Sequence, residues 1–299
     1  MFEDDQPGWG PIQLATPLRR STRIAVVARA QARFLRDLGL SPPVLVAAYQ
    51  HGIAEQPRWS SAPDELLWDG GAVLQACLNG SRTAEEHPAL PLSPARLAED
   101  AADVAALGVT SVHIHPRDVI GAPTLAGPEI ATTIATVRAA VPGIEISVST
   151  DVAGSLTTLV ASWAALAAGR PDVASVHVGR PGWRELAQAL RQVNVGVDLV
   201  VESAVKLAEL PAGTTRITVT ATQRTAEQLL RQVEPFGLPI LLHGRDDDAW
   251  PVFTYAARLE HQVRMGLEDT LRMPDGRKAR NNAELIAMAR RNQKAKAPS

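Results

Sequence analysis

Hydrophobic and polar positions change their rhythm along this chain at about residue 70. Beyond it, short apolar runs alternate with longer stretches of helical periodicity, the pattern of repeated strand–helix units. The runs fall at residues 73–79, 111–115, 145–150, 173–178, 195–201, 216–222, 239–243 and 262–268. Helical stretches include 93–107, where Ser93 takes the N-cap, Pro94 the first turn, and Gly108 follows the end. Others are 128–140 and 282–291. Eight strands and eight helices in about 225 residues predict an α/β chain, a (β/α)8 TIM barrel. An open doubly wound sheet seldom needs eight units, and no Gly-x-Gly-x-x-Gly turn follows the first run.

The first 70 residues read differently. Arg19, Arg20, Arg23, Arg29, Arg33 and Arg36 lie in a stretch without acids, interleaved with Ile24, Val27, Phe34 and Leu35. Their spacing predicts an amphipathic helix over 22–38, ended by Pro42-Pro43. We therefore divide the chain into a mainly helical N-terminal extension of unknown role, 1–70, and a barrel catalytic domain, 71–299. The extension is expected to pack on the barrel or on a neighbouring subunit, its arginine face being open to an anionic partner.

Sorting each run by the period of two separates an apolar face from a polar one. The apolar phase holds Leu74, Ala76 and Leu78, then Val112 and Ile114, Ile146 and Val148, Val176, and Ile217 and Val219. The opposite phase holds Gln75, Cys77 and Asn79, then His113, His115 and Arg117, Glu145, Ser147 and Ser149, Ser175 and His177, Thr218 and Thr220, and Arg264, Gly266 and Glu268. Barrel interiors are ordinarily filled by branched apolar side chains. A polar lining needs partners, and a ligand or metal supplies them.

Composition narrows the class. The 299 residues carry a formal net charge of −2, leaving no basic excess for a nucleic acid. A single cysteine, Cys77, excludes an intramolecular disulfide and a Cys-rich metal knuckle. No apolar run approaches a membrane span, and the acidic start is unlike a secretory leader. A cytoplasmic protein without nucleic-acid or membrane partners is expected.

The sharpest local chemistry is His113-Ile-His115. Histidines at i and i+2 on one strand project side by side and can reach one ion, and a catalytic zinc commonly takes two His and one carboxylate. Glu268, in the inward phase at the end of the eighth run, can complete the set; His243, ending the seventh, is a competing ligand or a substrate contact.

At this point the residues resemble a family. The run Leu74-Gln-Ala-Cys-Leu-Asn-Gly80, the segment from His87 to Pro94, and Val112-His-Ile-His-Pro-Arg-Asp118 are similar to the β-keto acid cleavage enzymes. So are Leu241-Leu-His-Gly244 with Ala249-Trp-Pro251, and Arg264-Met-Gly-Leu-Glu-Asp-Thr-Leu271 with Pro274-Asp-Gly276 and Asn282-Ala-Glu-Leu285. The resemblance spans residues 72–290 in unbroken order. It implies a Zn2+-dependent acyltransferase in which a β-keto acid and the co-substrate acetyl-CoA become acetoacetate and a new acyl-CoA, by Claisen addition and retro-Claisen cleavage. His113, His115 and Glu268 are then the metal ligands. Arg264 stabilises oxyanion charge, and Asp269 is the acid–base group. Ser149, Ser175, Asn79, Arg82 and His243 are substrate contacts, and a homo-oligomer, a tetramer, is implied.

The sequence departs from the family pattern around the pocket. The turn after strand three reads Ser149-Thr-Asp-Val152 without the family's glycines, and strand six ends in Thr218-Val-Thr220 where a Glu is often found. Arg180 and Arg245 stand where acids are common. The expectation is a rim of increased positive charge that pairs an extra anionic group on the substrate. Two other functions fit the same barrel: a zinc-dependent aldolase or C–C hydrolase working without CoA, and a diverged, non-catalytic binding protein.

Overall fold

The structure, a computed structural model, describes residues 73–294 except 153–154 and 205–206. The extension expected over 1–70, with its arginine helix, lies outside the described residues.

Eight parallel strands close in sequential order into a barrel. They are β1 (Leu74–Cys77), β2 (Ser111–Ile114), β3 (Glu145–Ser149), β4 (Val173–His177), β5 (Gly196–Val201), β6 (Thr214–Thr220), β7 (Ile240–His243) and β8 (Gln262–Met265). The register runs Gln75 to Ser111 to Glu145 at the lower end, with Cys77 beside His113 and His113 beside Ser147 above it. The apolar phase faces outward, where Leu74, Val112, Ile146, Val176, Ile217 and Val219 are buried under the helices.

The helices are α1 (Pro94–Ala106), α2 (Gly127–Ala140), α3 (Leu156–Ser162), α4 (Trp183–Gln192), α5 (Ala226–Val233), α6 (Ala249–Arg258) and α7 (Asn282–Lys294). The start of α1 follows its sequence signal: Pro94 opens it and Ser93 Oγ accepts a bond from Arg96 N at 3.3 Å. Among the described residues no helix lies between β5 and β6, so the expected eighth helix is not seen there.

Two strand ends are shorter than the polarity pattern suggests. β1 stops at Cys77 and β8 at Met265. The reason is a close approach. A side chain at Gly266 would put its Cβ 2.0 Å from the Cys77 carbonyl oxygen, so the chain passes flat against β1 and then turns. Glu268 therefore sits in that turn rather than on the strand.

The lower barrel is filled by a polar network instead of branched apolar layers. Gln75 Nε2 donates to Ser111 Oγ (2.9 Å), which donates to Glu145 (2.7 Å). Arg216 spans Glu145 (3.3 Å) and Asp198 (2.8 Å), and Thr218 donates to Asp198 at 2.6 Å. Burial opposes the charge on Asp198, but Arg216 and Thr218 hold its carboxyl below the usual range. No described helix is long and apolar enough to cross a membrane.

Candidate functional site

Above this network the barrel opens into a small, polar-lined cavity. It is lined by His113 and His115 from β2 and its end, Ser149 from β3, Ser175 and His177 from β4, Thr218 and Thr220 from β6, His243 from β7, Arg245, and Arg264 and Glu268 from β8 and its turn. A roomier surface groove between α5 and α6, bordered by Glu227, Tyr255 and Arg258, has no such convergence of titratable groups.

His113, His115 and Glu268 each offer a ligand atom, and these atoms lie within 4.8 Å of one another. His113 Nε2 is 3.9 Å from Glu268 Oε2, and His115 Nε2 is 3.6 Å from Oε1. Three polar atoms of the set, both ring nitrogens of His115 and Oε2 of Glu268, are buried without a hydrogen-bond partner. Such orphans are rare in folded proteins, and a cation among them would satisfy one nitrogen of His115 and Oε2 of Glu268. Burial drives the His113 pKa down to about 3, with Arg264 adding to the effect against the pull of Glu268. The ring is thus neutral, as a ligand must be. Its Nδ1 is 3.0 Å from Ser147 Oγ, an outer contact that turns Nε2 toward the centre. The donor set fits zinc.

Glu268 is fixed from several sides. Arg264 Nη2 donates to its Oε1 at 2.7 Å, and Arg82 Nε donates to its carbonyl at 3.2 Å. A Cβ on Gly80 would lie 2.5 Å from Glu268 Cγ, at a φ of +59° that itself favours glycine. Burial alone would raise the Glu268 pKa; Arg264, His113 and His115 instead hold the carboxyl well below its usual range. It stays a carboxylate.

Arg264 spans two carboxylates. Besides Glu268 it grips Asp269 through Nη2 (2.7 Å) and Nε (3.2 Å), leaving Nη1 without a partner among the described residues. Asp269, fully buried, lies 3.2 Å from His243 Nδ1, whose Nε2 faces Thr220 Oγ1 at 2.9 Å. Burial and Arg264 lower the His243 pKa. Against burial, Arg264 and His243 keep Asp269 ionised.

This geometry redistributes several expected roles. Asp269 does not line the cavity; it stands behind Arg264 and His243, through which any proton exchange with a bound molecule would pass. Asn79 and Arg82 do not line it either. Asn79 exchanges two 2.9 Å bonds with the His115 backbone and so fixes a ligand's strand end. Arg82 ties Glu268 to Asp246, its Nη2 donating at 2.6 Å. Ser149, Ser175 and His243 do line the cavity, and Ser175 Oγ is buried without a partner.

The positive rim is not observed. Arg180 is ion-paired with Asp151, and Arg245 Nη2 is 3.5 Å from Glu202 Oε1, so each cation faces an acid; of the two arginines, only Arg245 borders the cavity. Glu202 is a residue that the polarity pattern passes over. It follows β5 and sits 3.5 Å from His177 Nδ1. Contact with His177 first, then Arg245, pulls its pKa down to about 2 against burial.

The comparisons place this arrangement among known proteins. The family model described as beta-keto acid cleavage enzyme matches residues 72–238 and 212–296. No curated protein matches the chain. Among solved structures it is similar to the apo structure of ObcA, with 16% sequence identity over 68% of this chain and 61% of that one and a TM-score of 0.54. A ternary complex of ObcA with a C4-CoA adduct and oxalate matches at 16% identity, 70% and 64% coverage and a TM-score of 0.55. The chain thus spans less than two thirds of the length of these structures, and at that identity they attest a shared fold. The family match covers most of the barrel, His113, His115, Arg264 and Glu268 included: this chain belongs to the β-keto acid cleavage enzyme family.

Proposed function

We propose that the protein is a zinc-dependent acyltransferase that condenses a β-keto acid with acetyl-CoA, giving acetoacetate and a new acyl-CoA. The observation that carries this reading is the convergence of His113, His115 and Glu268 with unpartnered buried atoms, beside an arginine that grips Glu268 and Asp269. The ObcA complex with a C4-CoA adduct supports CoA as co-substrate for this fold. His113, His115 and Glu268 would hold the zinc, which supplies Lewis-acid polarisation of a β-keto acid's carbonyl oxygens.

The chain's own groups account for the rest. The free hydroxyl of Ser175, with Ser149, binds the substrate carboxylate. Arg264 Nη1 donates to oxygen that gains negative charge as carbon–carbon bonds form and break; one such donor is worth about 10²–10³ in rate. Asp269, held as a carboxylate, keeps Arg264 oriented and, with His243, is the proton acceptor behind it. Glu202, a carboxylate at neutral pH, orients the cavity-lining side chains of His177 and Arg245.

Metal analysis of the purified protein, with His113→Ala alongside, tests the centre: about one zinc per chain, lost in the variant, is expected. Absence of zinc from the wild type overturns the reading. Assays with and without acetyl-CoA separate it from a zinc aldolase or C–C hydrolase, which would cleave the keto acid without CoA. A zinc-loaded protein with no turnover of any β-keto acid would favour a binding role. Light scattering in solution tests the homo-tetramer that belongs to the same proposal.

A further inference from the structure

Asn282, the first residue of α7, is fully buried and lies outside the cavity. Its side-chain amide joins three separate parts of the barrel. Nδ2 donates to the Leu78 carbonyl at 2.8 Å, just past β1, and to Asp100 Oδ2 at 2.6 Å on α1. Oδ1 accepts from Leu267 N at 2.7 Å. Leu267 immediately precedes Glu268.

These bonds fix the amide in one orientation. A flipped side chain would set its NH2 against the Leu267 N–H and its oxygen against both the Leu78 carbonyl and the Asp100 carboxylate. The Leu267 N–H also depends on it. β8 ends at Met265, so the donor lies beyond the sheet ladder, and a buried N–H left without a partner is costly. In the next residue, Glu268 N donates to Cys77 O at 3.3 Å. The ligand-bearing turn is thus tied to the end of β1 twice, once directly and once through Asn282.

We propose that Asn282 is a positioning residue for the metal centre: by clasping Leu267 N–H and the Leu78 carbonyl, with Asp100 locking its amide, it sets the Glu268 carboxylate opposite His113 and His115. This rests on the zinc reading above and adds a residue that touches neither metal nor substrate. Outer contacts of this kind change metal affinity by about 10–100-fold when removed.

The test compares zinc affinity, by competition with a chromophoric chelator, in wild type, Asn282→Ala and Leu97→Ala. Leu97 is a buried core residue of α1, and its truncation destabilises the fold without touching the clasp. At a temperature where all three are folded, Asn282→Ala is expected to bind zinc about 10–100-fold more weakly, and Leu97→Ala within about twofold of wild type. If Asn282→Ala does not fold, Asp100→Leu removes one anchor of the amide with Asn282 in place and is expected to lose about tenfold, the weaker end of that range. Wild-type zinc binding with unchanged affinity in the folded variant overturns the positioning role alone. A wild type that binds no zinc overturns the metal reading and this role with it.

Discussion

Gly80→Ala is the most direct test of how tightly the site is built. Gly80 has a φ of +59°, and a Cβ there would lie 2.5 Å from Glu268 Cγ, 3.0 Å from its Cβ and 3.3 Å from its Cα. Carbon atoms rest at about 3.5–4.0 Å, so Glu268 Cγ must retreat by about 1 Å. It cannot retreat freely, because Arg264 holds its carboxylate and Arg82 its carbonyl. The backbone strain of an L-residue at positive φ adds about 1–2 kcal/mol. A displacement of about 1 Å in such a constellation typically costs about 10²-fold in turnover. Gly143 supplies the control: its φ is +88° and a Cβ there meets nothing within 4 Å. Both alanine variants should lower the melting temperature through strain, Gly80→Ala the more because it also clashes with Glu268. Only Gly80→Ala should weaken zinc binding in a chelator competition, by about tenfold or more. Equal zinc affinities for the two variants would refute the claim that Gly80 is required by the position of Glu268.

Other outcomes follow from the same geometry. Burial pushes the Asp100 pKa up to about 6 from 3.8 despite its bond to Asn282, so the native state holds that proton more tightly than the unfolded chain. Its stabilising contribution is complete below pH 4 and lost as pH rises through 6; Asp100→Asn should therefore gain about 1–2 kcal/mol in urea unfolding at pH 7 and nothing near pH 4, after allowance for partial solvation. Removing zinc with a strong chelator should lower the melting temperature of wild type, by the equivalent of about 2.7 kcal/mol where free zinc had stood at 100 times its dissociation constant, and leave His113→Ala unmoved. Arg264→Lys keeps the charge but not the fork that grips Asp269 and Glu268 together, and kcat should fall by about 10²–10³ while the fold persists. Arg245→Ala breaks a half-exposed pair with Glu202, and Arg180→Ala unpairs Asp151, an acid of the cavity lining; each should raise KM for a keto acid with a second anionic group by no more than about fivefold, within the energy of an exposed ion pair.

The barrel was legible because its strands alternate strictly. In β2, Val112 and Ile114 face outward while His113 and the next residue, His115, face inward, so a period of two separates packing from chemistry. The convergence of His113, His115 and Glu268 was legible for the same reason, although Glu268 reaches the cavity by a turn after Gly266 rather than along β8. What escaped was carried by long-range contacts. The run 195–201 reads as continuous valine and leucine, so its single acid, Asp198, gives little sign of meeting Arg216 across the barrel wall. Asp198, Val200 and Glu202 share one phase, and following it one residue past the run would have reached Glu202. Asn282 looks like an ordinary helix start; only the fold brings Leu78, Asp100 and Leu267 to it. The rim arginines were seen as excess charge because their partners, Asp151 and Glu202, lie 29 and 43 residues away.

The hydrogen-bonded network from Gln75 to Asp198 also has a kinetic consequence. It stops the lower end of the barrel with paired charges, so among the described residues the cavity is a vessel open at its upper end. Two reactants can occupy such a vessel only in file. Whichever enters first lies deeper and must depart last, and the second to arrive blocks its exit until turnover or dissociation. On the proposed reading, a keto acid beneath an acyl donor would follow compulsory-order steady-state kinetics, with the acyl-CoA product leaving ahead of acetoacetate. Initial-rate patterns and product inhibition would show that order, dictated from the far end of the barrel by residues that meet neither molecule.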